Sequence, residues 1–269
     1  MRIQKLFLCL TILSVQLFMG ACSSNSARKE SDEQAAPAIP GSNELEFITV
    51  DGIPVYSLKY NERGQLSFYG DLLYNGFFEI GYNPLNIKIS YYTPATDNTE
   101  ECLQVVEMYD IQLNNQQFVS DYKTRSYDLV ADEKKNLMES SGTVTYDSNG
   151  RMTELKEANG RNIVLEWDEE GNLIKSINNN TAYFFQPSIS PNTFNQWVPM
   201  WYAVAGYEMT GLFGNAPSSL IRNAVQYNKD SSSSTALFNY HLEKSHRISS
   251  VDVQMNNGMS TNMVFEYTE

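Results

Sequence analysis

From Glu44 onward, apolar and polar residues alternate along the chain with a period of two rather than 3.6. Tyr56, Leu58 and Tyr60 fall on one side of an extended segment, with Val55, Ser57 and Lys59 on the other. Ile163, Leu165 and Trp167 likewise share a face opposite Val164, Glu166 and Asp168. Side chains of a strand point alternately to its two faces, so this pattern marks strands with one covered side. Further β-rich runs cover residues 45–50, 77–82, 87–92, 103–113, 117–129, 236–242, 248–255 and 262–267, separated by short clusters of Gly, Asn, Asp and Pro. The rhythm predicts an all-β protein, an antiparallel up-and-down meander rolled into a barrel or a strongly curved sheet.

One unit of this pattern recurs. Tyr146-Asp147-Ser148-Asn149-Gly150-Arg151-Met152 returns as Trp167-Asp168-Glu169-Glu170-Gly171-Asn172-Leu173, and Tyr60-Asn61-Glu62-Arg63-Gly64-Gln65-Leu66 is an upstream copy. An aromatic ends a strand, a polar turn follows, glycine takes the position that needs positive φ, and an apolar residue starts the next strand. Gly64, Gly150 and Gly171 are therefore structural turn residues. Asp147 and Asp168 accept bonds from turn amides, and the spaced ligands and closing Glu of a calcium loop do not accompany them.

Phe184 to Tyr227 breaks the hairpin rhythm. It holds Pro187, Pro191, Pro199 and Pro217, and two tryptophans, Trp197 and Trp201. A short helical or irregular plug near residues 190–225, closing one barrel end or covering a sheet edge, is one expectation. A recognition site is the other. Exposed rings stack on sugar faces or anchor interfaces, which makes Trp197, Trp201, Tyr202 and Tyr207 the candidate ligand or partner contacts.

The start of the chain is of a different kind. Arg2 and Lys5 precede an apolar run from Leu6 to Phe18 that is too short to cross a bilayer core of about 30 Å as a helix. It suits a secretory leader. Met19-Gly20-Ala21-Cys22 follows it and resembles a bacterial lipobox, which implies acylation of the Cys22 thiol and cleavage after Ala21. Residues 1–21 are then the signal peptide and 22–43 a polar, proline-bearing tether without apolar periodicity, expected to be disordered. Such a coil spans roughly 25 Å root-mean-square. Residues 44–269 form a single β domain. Cys102 remains as a lone thiol, so the mature chain forms no internal disulfide.

Charge narrows the partners. With 32 Asp and Glu against 19 Lys and Arg, the chain carries a formal −13, which argues against nucleic acid. It also repels anionic lipid, leaving the acyl chains on Cys22 as the membrane attachment. Lys59, Lys88, Glu154 and Glu166 interrupt strand faces that a transmembrane barrel needs apolar.

The hairpins from Tyr146 to Ile177 resemble the YD repeats of Rhs-type shells. The lipobox, the Tyr-x-x-x-Gly-x-Leu hairpins and the late segment Gly211-Leu212-Phe213-Gly214-Asn215-Ala216-Pro217-Ser218 together resemble an uncharacterised Bacteroidetes lipoprotein family, a domain of unknown function with a porin-like fold. The resemblance implies a soluble porin-like barrel in the cell envelope, as an outer membrane lipoprotein facing periplasm or exterior. Ser23 after the lipidated cysteine agrees with that address. It supplies no catalytic residues.

Nor do the residues themselves. His241 and His246 have no recognised metal-ligand spacing, no nucleophile elbow or phosphate loop is present, and no cofactor or metal is implied. The expected function is a non-catalytic binding module for a glycan, a lipid or an envelope protein. A purely structural envelope protein and a hydrolase using a carboxylate pair are the alternatives.

Overall fold

The computed structural model describes residues 45–71, 76–82, 84–93, 102–131, 133–179, 181–192, 211–227, 232–244 and 247–267. Sixteen strands run in chain order: β1 Leu45–Val50, β2 Ile53–Tyr60, β3 Leu66–Asp71, β4 Gly76–Tyr82, β5 Leu85–Thr93, β6 Cys102–Leu113, β7 Val119–Val130 and β8 Glu133–Tyr146. They continue with β9 Met152–Glu157, β10 Asn162–Trp167, β11 Leu173–Asn178, β12 Thr181–Pro191, β13 Ser219–Tyr227, β14 Ser233–Leu242, β15 Ile248–Met255 and β16 Ser260–Tyr267. Each strand pairs antiparallel with the next, and β1 pairs with β16. The meander thus closes into a barrel, which leaves the ring without an edge strand. Of the two expected architectures the closed one is realised. No helix occurs among the described residues; of the plug expected near residues 190–225, 193–210 lie outside them, 211–218 are irregular, and 219–225 belong to strand β13, whose pairing with β12 and β14 takes them into the barrel wall.

Burial tells the inner face of the wall from the outer. Tyr56, Phe78, Ile80, Ile87, Ile89, Met108, Leu155, Ile163, Leu165, Phe238, Val251, Val253, Met263 and Phe265 are all buried and belong to one apolar cluster. Buried apolar side chains fill this parity on strands all round the ring, whereas the other parity is mostly polar or exposed, so these rows face the lumen. The lumen face is therefore a packed apolar core, unlike the polar wall of a water-filled porin channel. Ser90, Val105 and Tyr127, consecutive cross-strand partners of the opposite parity, are buried too and lie outside that cluster.

The outer wall is charged. Cross-strand register aligns Lys59, Phe68, Glu79, Lys88, Glu107, Arg125 and Glu139 into one row across β2 to β8. From Glu79 on, the signs alternate. Lys88 pairs with Glu79 at 3.1 Å, Arg125 pairs with Glu107, and Lys175 on β11 pairs with Glu166 on β10 at 2.6 Å. Holding Lys59, Lys88, Arg125 and Lys175 against hydrocarbon would cost on the order of 10 kcal/mol together.

One end of the barrel is latched by aromatic side chains. The hydroxyl of Tyr60, at the end of β2, donates to Leu45 O at the start of β1 (3.0 Å). Tyr82 donates to Leu66 O (2.8 Å), Tyr146 to Val119 O (2.7 Å) and Tyr267 to Ile248 O (2.8 Å), while Trp167 Nε1 donates to Met152 O (2.7 Å). Each latch spans one hairpin, last residue to first. Burial pushes the Tyr82 hydroxyl up to about 12, so it stays a donor. The turns beside the latches carry Gly64, Gly150 and Gly171 at φ 72°, 73° and 87°. Asp147 Oδ1 accepts from the amides of Asn149 and Arg151 at 2.9 Å each.

The irregular segment from Gly211 to Ser218 packs onto this latched end. Leu212, Phe213 and Ala216 are buried. Val119 N donates to Leu212 O (2.8 Å), Asn215 N to Gly150 O (2.9 Å) and Ser218 N to Gly171 O (3.0 Å). Its backbone is satisfied by the very turns it covers, as a buried irregular segment requires. Both Leu45 and Tyr267 lie at this end, paired with each other, so the chain enters and leaves the barrel on the plugged side.

Candidate functional site

Away from the charged row, the outer wall of β14, β15 and β16 carries a groove of about 630 Å³. Strand alternation builds it. Asn239 sits between inward Phe238 and Tyr240, Asp252 between inward Val251 and Val253, and Asn262 beside inward Met263. Register then places Asn239 opposite Asp252 and Asp252 opposite Asn262, giving a polar row of three side chains. Leu237, Gln254 and Ser260 form the adjoining row.

The row is braced by hydrogen bonds. Asn262 Nδ2 donates to Asp252 Oδ1 (2.8 Å), and His241 Nε2 lies 2.7 Å from Asp252 Oδ2. Asp51, in the β1–β2 turn at φ 49°, accepts from Thr261 Oγ1 and from Asn262 N at 2.9 Å each. The His241 and Asn262 bonds hold the Asp252 carboxyl below its usual range, against a smaller desolvation effect. Asp252 is thus an acceptor in the groove and not a proton donor. A lowered carboxyl stabilises the fold above its ordinary pKa and loses that contribution as pH falls through the lowered value. An NMR titration of the Asp252 carboxyl carbon is expected to give a midpoint below the ordinary aspartate value, moved up by His241→Ala. A midpoint at the ordinary value would contradict the bracing.

Arg222 completes the groove. The β13–β14 ladder ends at Asn223 opposite Leu237, and Arg222, just beyond it, is exposed and makes no ion pair or hydrogen bond among the described residues. The lining therefore offers guanidinium and amide donors beside carboxylate and amide acceptors, next to one exposed aliphatic side chain, Leu237. This mixture suits a ligand with many hydroxyl groups and apolar ring faces. No group of three His, Cys, Asp or Glu able to hold a metal occurs among the described residues.

The candidate contacts Trp197, Trp201, Tyr202 and Tyr207, like Cys22 and His246, lie outside the described residues. His241 is in place but serves Asp252. Cys102 is half-buried at the start of β6 and outside the apolar core; burial, then the nearby Asp128, pushes its thiol up and keeps it protonated. The groove residues were missed from sequence because they come from five separate segments that only the register unites. Their one local signal is an Asn or Asp at an outward position next to a buried apolar residue.

Two solved structures are similar to this chain. One is a crystal structure of a porin-like protein from Bacteroides uniformis ATCC 8492, with 14% identity, 86% of this chain and 98% of that chain covered, and a TM-score of 0.48. The other is a crystal structure of a porin-like protein from Bacteroides vulgatus ATCC 8482, at 11% identity, 83% and 98% coverage, and a TM-score of 0.42. No protein-family model matches the sequence, and comparison with curated proteins finds no match.

Proposed function

We propose that the chain is a lipid-anchored cell-envelope protein whose barrel stands in water as a non-catalytic binding module and takes a glycan in the β14–β16 groove. The observation that carries this reading is the sidedness of the wall. The apolar faces turn inward, the charged faces turn outward, and the polar groove opens on the outer side, so the barrel serves as a rigid scaffold for surface recognition. Preformed sites on strands hold polar groups in place at little ordering cost. In this reading Cys22 is acylated and residues 22–43 are the tether. Leu45, where such a tether would join, is at the plugged end, and Asp51 sits in a turn at the opposite end, so the groove rim lies at the end far from the attachment point. An outer-membrane address and kinship with the Bacteroidetes lipoprotein family belong to the same proposal.

Two measurements test it. The intact mass of the native protein is expected to show cleavage after Ala21 and acyl chains on Cys22, both lost in Cys22→Ser. Titration of the full chain with soluble saccharides is expected to show binding that Asn262→Ala weakens by about tenfold, in line with a lost hydrogen-bond pair. An unmodified sulfur defeats the anchor. Unchanged affinity in Asn262→Ala defeats the groove.

A further inference from the structure

We infer that the groove's ligand is a linear oligosaccharide rather than a single sugar, and that its far end rests on an aromatic platform formed by Tyr227 and Phe184 on the same outer wall. This rests on the glycan reading of the groove and extends it.

The platform is built, not incidental. Phe184 on β12 and Tyr227 on β13 meet edge to face, with ring centroids 5.7 Å apart and planes at 87°. Despite their size they are 43% and 48% exposed. Lys175 Nζ lies 5.8 Å from the centre of the Phe184 ring, while its charge is taken by Glu166. Phe184 is thus held between a cation and a neighbouring ring. Among the described residues no cation lies over the Tyr227 ring, and it is the ring that can present a face to a ligand.

The two sites are continuous. Phe184 is opposite Val225, and Val225 is opposite Thr235. Two residues along from Thr235 is Leu237, 47% exposed and part of the groove lining. Counting strands and residues along the wall, Phe184 stands roughly 20–25 Å from Asn262. That distance is too long for one sugar ring and fits a chain of several. The order of chemistry along it also fits: polar contacts for ring hydroxyls at Asp51, Asn262, Asp252 and Asn239, an apolar step at Leu237, and a stacking surface at Tyr227. A protein partner would instead call for an apolar patch with a charged rim, whereas here the apolar step is flanked by Gln254, Ser260 and Asn239.

The test measures affinity against ligand length. The full chain is titrated with cello-, malto- and chito-oligosaccharides, each as disaccharide and hexasaccharide. In the series that binds, the hexasaccharide is expected to bind about tenfold or more tightly than its disaccharide. Tyr227→Ala is expected to bring the hexasaccharide down to the disaccharide affinity without changing the latter, and Tyr227→Phe to restore it. Equal affinity for the two lengths, or a Tyr227→Ala protein that discriminates as before, overturns the platform and leaves the groove standing. No binding of any saccharide overturns the groove reading and the inference with it.

Discussion

Truncating Phe213 to alanine is expected to lower the stability of the barrel by about 3–5 kcal/mol, the usual cost of emptying a buried aromatic site. Phe213 is 0% exposed and lies in the segment that plugs the latched end. The loss should exceed the ring's own transfer energy. The flanking backbone is tied to three barrel elements through Leu212 O, Asn215 N and Ser218 N, so neighbouring atoms cannot collapse into the void without breaking those bonds. For a domain of this size the melting temperature is expected to fall by about 6–20 °C. Phe184→Ala, on the exposed wall, is expected to change stability by less than about 1 kcal/mol. Thermal unfolding followed by circular dichroism separates the two cases. Equal effects would mean that the segment is a surface loop.

The second large effect is expected at Gly142. This residue lies on the inward face of β8, and a Cβ there would sit 2.2 Å from Tyr122 Cζ and 2.4 Å from its hydroxyl oxygen. The ring cannot step aside freely. Its hydroxyl crosses β8 to donate to Glu157 Oε1 on β9 at 2.9 Å, and Asn159 Nδ2 donates to the other oxygen at 2.9 Å. Gly142→Ala therefore combines overpacking with the loss of a hydrogen bond to a carboxylate whose side chain is nearly covered, for about 3–5 kcal/mol in total. The mechanism makes a sharper statement than the magnitude does. In Tyr122→Ala the clash is gone, so adding Gly142→Ala to it should cost little, and the double variant should be more stable than the sum of the single changes by more than about 1 kcal/mol. Additive behaviour would place the cost elsewhere, for instance in the conformational preference of residue 142.

How far the sequence carried depends on what kind of information each feature holds. The strands were legible because burial on one face writes a period of two into every segment, as in Ile163-Val164-Leu165-Glu166-Trp167. The turns at Gly64, Gly150 and Gly171 were legible because positive φ selects glycine. The same turn after β6 went unseen because Gln117 takes the position at φ 65°, with Asn114 Oδ1 accepting from the amides of Gln116 and Phe118. Geometry was kept there and the residue signature was not. The aromatics that end strands were visible, but their latching role was not, since the acceptors are backbone carbonyls that no residue type announces.

Closure was beyond the local pattern altogether. A barrel and a curved sheet have the same alternation, and only the pairing of Leu45–Val50 with Ser260–Tyr267, at opposite ends of the chain, distinguishes them. The groove has the same character. Asp51, Arg222, Asn239, Asp252 and Asn262 are ordinary polar residues until register sets them side by side. The aromatic residues that sequence reasoning favoured, Trp197, Trp201, Tyr202 and Tyr207, lie outside the described residues. Two of the exposed rings among the described residues, Phe184 and Tyr227, sit at the two ends of the segment in which an aromatic site was sought.

The central claim is that the apolar face of the wall is turned into the lumen and the charged face toward water. Its most direct test is the behaviour of the full chain carrying Cys22→Ser in buffer without detergent. A monodisperse, folded β protein by light scattering and circular dichroism, which adds no conductance to a planar lipid bilayer, is the predicted result. A chain that aggregates until detergent is supplied, and then opens stepwise conductances in the bilayer, would show that the faces are the other way round.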